Sequence, residues 1–224
     1  SPSMRFFELN TGKSAVLSVT QDRLGHAALE QLVAIGASTG GPQAIRQVLE
    51  VLPASMPPVL VVQHITPSFT ESFAKSLDAN CQLSVQVGQD GVCPEPGNVY
   101  IAPGDRHMLL TRSGTDYFIA LADHDRVNRH RPSVDELFKS VAVHAGQSGT
   151  GILLTGMGVD GAIGLKMIRE RGGRTFAQDE ASSVVFGMPR AAIELDAADT
   201  VLGIDRIAEC LTSYVFRNSE ADRR

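Results

Sequence analysis

Three almost unbroken apolar stretches constrain the fold of this chain most strongly. They cover residues 32–36, 58–64 and 150–156, and each is followed by polar or glycine-rich residues and then by a segment with helical spacing. Strands that are apolar on both faces are typical of parallel sheets buried between helices, and their alternation with helices predicts such a sheet. The sequence therefore predicts an α/β fold, with a doubly wound, mostly parallel sheet and helices on both faces.

The middle of the chain breaks this alternation. The segments LSVQV, NVYIAP, HMLLT and YFIAL are short, have turn residues between them, and predict short antiparallel strands added to the sheet. Residues 1–30 show no strong periodicity and are interpreted as a leader or interdomain linker without assigned structure. We therefore expect one globular domain over residues 31–217 and a polar tail over residues 218–224.

The composition excludes several classes of function. The 224 residues carry a formal net charge of −5, whereas nucleic-acid binding requires a basic face. No apolar run approaches the roughly 20 residues of a membrane span. The three cysteines, Cys81, Cys93 and Cys210, are widely spaced and form no zinc-binding pattern. We expect a cytoplasmic protein without a metal, a cofactor, bound nucleic acid or membrane insertion.

Polar residues follow the ends of the three apolar strands. Ser38 lies in the sequence GASTG, which matches the G-x-S-x-G turn that exposes a serine hydroxyl between a strand and a helix. His64 ends the second stretch, and Asp160 follows the third in TGMGVDGA. Ligands of open parallel sheets bind at the carboxyl ends of the strands. The three residues therefore predict a nucleophile, its general base and the carboxylate that orients the base.

Each of these residues also has a simpler explanation. GASTGG could be a turn that binds phosphate or another anion at a helix N-terminus, although Pro42 stands where a P-loop has lysine. His64 could be a structural histidine at a strand end, and Asp160 could be a helix N-cap. A non-catalytic anion-binding module and a general carboxylesterase are therefore alternative functions. The chain order Ser, His, Asp also differs from the Ser, Asp, His order of α/β hydrolases.

Six separated segments resemble the catalytic domain of the bacterial chemotaxis receptor methylesterases, the CheB family. They are AIGASTGG, VVQHITPSFTESFA, NVYIAPGDRHM, NRHRPSVDELF, LLTGMGVDGA and AQDEASSVVFGMPRAA, in the order of the family. The resemblance covers nearly all of residues 31–215. It implies that Ser38, His64 and Asp160 are the catalytic triad of a domain with a doubly wound, mostly parallel sheet.

The resemblance also implies an activity and partners. The expected reaction is hydrolysis of glutamate methyl esters on the cytoplasmic helices of chemoreceptors, with release of methanol, together with deamidation of receptor glutamines. Members of the family usually carry an N-terminal receiver domain, and residues 1–30 are too short to form one. We therefore expect that such a domain was removed from this chain or acts in trans. Val159 is a departure, because many relatives have asparagine there.

Four further residues are candidates for binding the substrate. The backbone N–H groups of Thr39 and Met157 lie in glycine-rich loops beside the proposed reaction centre, and we expect them to stabilise the oxyanion. Packing is the alternative role of Met157. Arg129 and Arg131, in NRHRPS, could bind acidic receptor surface or the product carboxylate, and the alternative for both is a solvated loop or an internal salt bridge.

Overall fold

A computed structural model of the chain describes residues 31–221. Nine strands and six helices follow one another in this part of the chain. The strands are β1 Leu32–Ala37, β2 Val59–Gln63, β3 Ser84–Val87, β4 Asn98–Ile101, β5 His107–Ser113, β6 Asp116–Ala122, β7 Gly149–Leu153, β8 Arg174–Gln178 and β9 Thr200–Leu202. The helices are α1 Gly41–Leu49, α2 Pro67–Asp78, α3 Val134–His144, α4 Ala162–Glu170, α5 Met188–Glu194 and α6 Ile204–Ala221.

Seven of the strands form a single parallel sheet in the order β3-β4-β2-β1-β7-β8-β9. The chain leaves the central strand β1 toward β2 on one side and later returns to β7 on the other side. This reversal of strand order makes the sheet doubly wound, and the carboxyl ends around such a reversal are the usual ligand site. The predicted parallel sheet is therefore confirmed.

Helices cover both faces of the sheet, as the apolar strands predicted. One hydrophobic cluster lies between the sheet and α1, α2 and α6, and a second lies between the opposite face and α3, α4 and α5. Successive residues of β1 alternate between the clusters: Val33 and Ile35 belong to the first, Leu32 and Ala34 to the second. Burial of every side chain of β1 is the physical reason for its continuous apolar sequence.

The antiparallel addition is smaller than the sequence suggested. Only β5 and β6 pair antiparallel, as a two-stranded ribbon with His107 opposite Ala122. The segments LSVQV and NVYIAP, which were expected to be antiparallel, form β3 and β4 at the parallel edge of the main sheet. The connection over residues 88–97 carries the chain back along the sheet edge without a helix, so its short length and turn residues resembled a hairpin.

Gly36 allows the N-terminus of α3 to approach the end of β1. A Cβ atom at Gly36 would lie 2.1 Å from Cγ1 of Val134, and one at Gly161 would lie 2.6 Å from the same atom. Val134 is the first residue of α3 and is fully buried. The two glycines thus leave space for this valine between the end of β1 and the start of α4, which brings the start of α3 to the carboxyl edge of the sheet.

Within residues 31–221, no helix is long and apolar enough to cross a membrane. The same residues contain no group of three or more histidine, cysteine, aspartate or glutamate side chains arranged to hold a metal ion. The leader or linker predicted for residues 1–30, and residues 222–224 of the predicted tail, lie outside the described residues.

The contact between Gly36 and Val134 predicts a specific defect. Gly36→Ala should lower the free energy of unfolding by about 1–3 kcal/mol, because the added methyl group meets a short, buried side chain that has no room to move. Urea unfolding of the purified protein measures this change. The double variant with Val134→Ala should recover part of the loss, and a strictly additive double-mutant cycle would contradict the proposed contact.

Candidate active site

The three predicted catalytic residues emerge at the carboxyl ends of adjacent strands. Ser38 follows β1 directly, His64 follows β2 directly, and Asp160 lies in the loop between β7 and α4. Since β2, β1 and β7 are neighbours in the sheet, the structure brings the three loops to one edge. The strand-end rule therefore placed these residues on the correct edge of the sheet.

His64 and Asp160 are in direct contact. Nε2 of the imidazole lies 2.7 Å from Oδ2 of the carboxylate, and only 8% and 1% of the two side chains is exposed. A carboxylate accepts hydrogen bonds, so Nε2 carries the proton of this bond. Nδ1 of His64 is buried and has no hydrogen-bond partner within residues 31–221. The neutral ring therefore presents a free lone pair at Nδ1, as a general base requires.

Ser38 lies in a loop fixed to both neighbouring strand ends. Its backbone N–H donates to the carbonyl of Thr155 at 3.0 Å. Its carbonyl accepts from Gly41 N–H at 2.8 Å and from Nε2 of Gln63 at 2.9 Å. The same Gln63 amide donates to the carbonyl of His64 at 3.1 Å, so it ties the serine and histidine backbones together.

The hydroxyl of Ser38 makes no hydrogen bond to any other described residue, so the link from serine to histidine in the expected triad is not formed in the structure. The side chain is partly exposed, and a Cβ at Gly156 would lie 2.7 Å from the Ser38 Cβ. Backbone hydrogen bonding of His64 N–H to the Ala37 carbonyl, 3.1 Å, holds the two loops side by side. Hydrogen bonds of catalytic groups often tighten only when substrate is bound.

Asp160 lies at the N-terminus of α3, where unpaired backbone N–H groups favour negative charge. Its Oδ1 accepts from the Ser133 hydroxyl at 2.7 Å and from Asp135 N–H at 3.2 Å, and its Oδ2 accepts from Val134 N–H at 2.7 Å. Nδ2 of Asn128 adds a fourth donor at 2.8 Å. The expected alternative role as a helix cap is therefore also present, although the capped helix is α3 and not α4.

These donors determine the charge of Asp160. Burial raises the pKa of its carboxyl group, but the hydrogen bonds from His64, Asn128, Ser133 and Val134 outweigh burial and lower the pKa to about 2. The group is therefore ionised at neutral pH. A fixed negative charge against Nε2 holds the imidazole in the tautomer that leaves Nδ1 unprotonated.

A second buried carboxylate completes the arrangement. Asp135, in the first turn of α3, accepts from Gly164 N–H of α4 at 2.7 Å and from Nδ2 of Asn128 at 2.8 Å. Burial raises its pKa. Asp160, which precedes α4, thus caps α3, and Asp135, which lies in α3, caps α4. This exchange fixes the two helix N-termini relative to each other.

Both candidates for the oxyanion site, Thr39 and Met157, lie in loops beside Ser38. Thr39 is the next residue in the chain, and its carbonyl accepts from the Thr155 hydroxyl at 2.9 Å. Met157 follows Gly156, which abuts Ser38, and 66% of the Met157 residue is exposed. Neither backbone N–H has an acceptor among the described residues. Exposure of the Met157 side chain argues against the alternative that it serves packing.

The two arginines differ from each other. The guanidinium of Arg131 donates to the Asp105 carboxylate at 3.0 Å and to the carbonyls of Asp123 and His124 at 2.6 and 3.0 Å. These contacts correspond to the alternative of an internal salt bridge, and the role of Arg131 in substrate binding stays a prediction. Arg129 is exposed, and its φ of 72° is unusual for a residue with a side chain.

Four supporting residues were missed by the strand-end argument. Gln63, Thr155, Asn128 and His130 contact the loops or side chains of the proposed triad. Gln63 precedes His64 at the end of β2. A polar residue at the end of an apolar strand was the signal in the sequence that could have identified it. The other three are polar residues whose contacts depend on how loops fold back, which the sequence pattern does not report.

His107 also has a role that its sequence position did not indicate. It begins β5 of the antiparallel ribbon. Its Nδ1 accepts from Ser133 N–H at 3.2 Å, and its Nε2 donates to the Asp125 carbonyl at 3.1 Å. Ser133 and Glu136 thus form half of a capping box: the Ser133 hydroxyl accepts from Glu136 N–H, while His107 replaces the glutamate side chain as acceptor from Ser133 N–H.

The lowered pKa of Asp160 predicts how the free energy of unfolding depends on pH. The pKa of the Asp160 carboxyl is about 2 in the folded protein, below its ordinary value of 3.8. The ionised group therefore contributes its full stabilisation above pH 3.8, and this contribution is lost as the pH falls through about 2. The contribution is about 2 kcal/mol. Asp160→Asn should therefore be less stable than the unsubstituted protein at pH 7, with the difference shrinking between pH 4 and pH 2.5.

Urea unfolding at a series of pH values measures this difference. Asp116→Asn removes an exposed carboxylate on the β5–β6 ribbon and serves as the control. It should follow the unsubstituted protein throughout. A stability difference between Asp160→Asn and the unsubstituted protein that stays constant down to pH 2.5 would contradict the electrostatic role of the carboxylate.

Comparison with known proteins gives the family of this chain. Residues 33–211 match the family model described as CheB methylesterase. Over 186 residues the chain is 53% identical to the protein-glutamate methylesterase/protein-glutamine glutaminases of Escherichia coli K12 and Salmonella typhi, which covers 83% of this chain and 53% of each relative. Protein-glutamate methylesterase/protein-glutamine glutaminase 3 of Burkholderia lata is 54% identical to this chain over 173 residues. That match covers 77% of this chain and 48% of the relative.

The chain spans about half the length of these curated relatives. A solved structure gives a fuller match. The crystal structure of the Thermotoga maritima CheB methylesterase catalytic domain superposes with a TM-score of 0.80 at 39% identity, and the match covers 82% of this chain and 98% of that chain. The family model, the curated relatives and the shared fold agree, and this chain belongs to the CheB methylesterase family.

Proposed function

We propose that this chain is a serine esterase that removes methyl groups from glutamate methyl esters of chemoreceptors, releasing methanol, and that it also deamidates receptor glutamines. The observation that carries the proposal is the 2.7 Å bond from His64 Nε2 to the ionised Asp160, which leaves Nδ1 without a hydrogen-bond partner among residues 31–221. The backbone N–H of His64 donates to the carbonyl of Ala37, directly before Ser38. The names of the relatives, protein-glutamate methylesterase/protein-glutamine glutaminase, support the same substrate class.

The proposed reaction proceeds through an acyl-enzyme. The Ser38 hydroxyl rotates toward His64 and attacks the ester carbonyl while Nδ1 accepts its proton. Asp160 stabilises the imidazolium that results. Collapse of the tetrahedral intermediate expels methanol, which takes the proton from Nδ1. A water molecule then attacks the acyl-enzyme by the same route and releases glutamate, and with a glutamine substrate the first leaving group is ammonia.

The backbone N–H groups of Thr39 and Met157 are proposed to stabilise the oxyanion. Both lack an acceptor within the described chain, and they belong to loops that meet at Ser38. A donor of this kind contributes about 3–4 kcal/mol in well-studied serine enzymes because it is already oriented toward the developing charge. Since both donors belong to the backbone, the fold of the loops and not the identity of the two side chains would set their positions.

The rim of the proposed site is suited to a long substrate side chain. Met157, Val159 and Val184 are exposed apolar residues in the loops on the β7 side of Ser38. They offer contacts to the methylene groups of a glutamyl ester, and Val159 adds apolar surface where asparagine was expected. The exposed Arg129 is proposed to contact acidic surface of the receptor helix.

The wider context of the protein follows the family. We propose that residues 31–217 form the catalytic domain, that its substrates are cytoplasmic helices of chemoreceptors, and that the protein acts in the cytoplasm during chemotactic adaptation. A receiver domain, in cis or in trans, is the proposed regulator. The matched residues cover only about half of each curated relative, which is consistent with an additional domain in those proteins.

The two alternative functions make different demands on the site. An anion-binding turn would need the GASTGG loop and the start of α1, but it would not need His64 bound to a carboxylate with a pKa of about 2. A general carboxylesterase would share the triad. It would hydrolyse small soluble esters such as p-nitrophenyl acetate about as fast as receptor esters, whereas a receptor enzyme should be slow on them.

Ser38→Ala tests the proposed nucleophile. The variant should lower the rate of methanol release from methylated receptor membranes by a factor on the order of 10⁴ or more, because no other group replaces the hydroxyl. Radiolabelled methyl groups on the receptor give the readout. Ser84→Ala, which removes an exposed hydroxyl from the edge strand β3, is the matched control and should keep full activity. Methanol release by Ser38→Ala at the control rate would overturn the mechanism.

Arg129→Gly tests the proposed contact with the receptor. Glycine adopts a positive φ without strain, so the stability should stay within about 1 kcal/mol of the unsubstituted protein. Loss of the cation should raise KM for receptor membranes several-fold and leave kcat unchanged. The comparison of KM at low and high salt gives a second readout, and a KM independent of the substitution would remove Arg129 from the substrate site.

A further inference from the structure

A second histidine covers one face of His64. The ring of His130 lies parallel to the ring of His64, with 3.5 Å between ring centroids and 8° between planes. His130 comes from the loop between β6 and α3, far from His64 in sequence. The imidazole of His64 is thus bound to Asp160 at Nε2, unpartnered at Nδ1 and stacked on one face.

A tight turn holds His130 in place. Val127 N–H donates to the His130 carbonyl at 3.0 Å, and His130 N–H donates to the Val127 carbonyl at 2.9 Å. The two residues between them, Asn128 and Arg129, have φ angles of 50° and 72°, the signs found in a type I′ turn. A positive φ at Arg129 is unfavourable, and backbone strain of this kind is often found at functional sites.

The same turn contacts the carboxylate that holds His64. Asn128 donates to Oδ1 of Asp160 at 2.8 Å while His130 stacks on the imidazole. Residues 127–130 therefore contact both members of the His64–Asp160 pair. A displacement of this turn would change the position of the carboxylate and the plane of the imidazole together.

We propose that His130 is a positioning residue for the esterase reaction, whose flat ring fixes the plane of the His64 imidazole. This inference rests on the proposed function. A single hydrogen bond to Asp160 fixes the position of Nε2 but leaves the ring free to pivot about that bond, and the terminal torsion of histidine has broad minima. The stacked ring removes this freedom and holds the imidazole in one plane, with Nε2 on Asp160.

The environment of His130 keeps its ring neutral. Burial lowers the pKa of His130, and the nearby charges of protonated His64 and Arg126 lower it further, while Asp160 raises it. A neutral ring can remain stacked when His64 becomes an imidazolium during the reaction. Two cationic rings at 3.5 Å would repel each other.

Three substitutions separate the flat ring from its other properties. His130→Phe keeps a flat aromatic face without nitrogen atoms, His130→Leu keeps apolar bulk without a plane, and His130→Ala removes the side chain. Methanol release from methylated receptor membranes should keep kcat within about fivefold for Phe and lose about 10- to 100-fold for Leu and Ala. KM should change little in all three, because the ring is proposed to act on the chemical step.

A second readout does not depend on catalysis. The proton on His64 Nε2, hydrogen-bonded to Asp160, should give a low-field resonance in the ¹H NMR spectrum that disappears in Asp160→Asn. This resonance should persist in His130→Phe and broaden or shift in His130→Ala. His144→Ala, at the end of α3 away from the site, is the matched histidine control and should change neither the kinetics nor the spectrum.

The outcomes distinguish this inference from the proposed function. Absence of methanol release by the unsubstituted protein would overturn the proposed function. If the unsubstituted protein is active, kcat within twofold for His130→Ala with an unchanged resonance would overturn the positioning role. Equal losses for Phe and Ala would also overturn it, since they would require a ring nitrogen. If Ala fails to fold, the contrast between Phe and Leu decides the question.

Discussion

The carboxylate of Asp160 at the N-terminus of α3 is the interaction on which the site depends. Four donors from one short segment and one turn hold it. Burial raises its pKa, but the hydrogen bonds from His64, Asn128, Ser133 and Val134 lower it to about 2. A buried charge without such partners would be strongly destabilising. The helix start must therefore lie at the carboxyl edge of the sheet, and the glycines at positions 36 and 161 provide the space for it.

The same helix start serves folding and chemistry. Asp160 accepts hydrogen bonds from the free N–H groups at the start of α3, and Asp135 accepts one at the start of α4. Because each aspartate caps the other helix, the two helices on this face of the sheet are fixed relative to each other. The charge that stabilises these helix ends also orients His64. A substitution at Asp160 is therefore expected to change stability together with the proposed activity, whereas a substitution at Ser38 removes only a partly exposed hydroxyl from a loop held by its backbone.

The sequence predicted those features that follow from strand periodicity. The parallel sheet and the edge at which Ser38, His64 and Asp160 emerge follow from continuous apolar strands and the strand-end rule. The direction of β3 and β4 did not follow, because a strand of four residues carries no signal of its orientation. Asn128 and His130 were missed for a related reason: a turn that folds back over the site has no periodicity, and only its three-dimensional path reveals its contacts.

The order of the strands explains why Nε2 of His64, and not Nδ1, contacts the carboxylate. In the chymotrypsin arrangement the aspartate binds Nδ1 and the serine faces Nε2. Here His64 follows β2 and Asp160 follows β7, with β1 and Ser38 between them. Neighbouring strands lie about 4.8 Å apart, so the imidazole must reach across the end of β1 to meet the carboxylate. The distal nitrogen, Nε2, is the one that meets Asp160, and the proximal nitrogen, Nδ1, is left without a hydrogen-bond partner among residues 31–221.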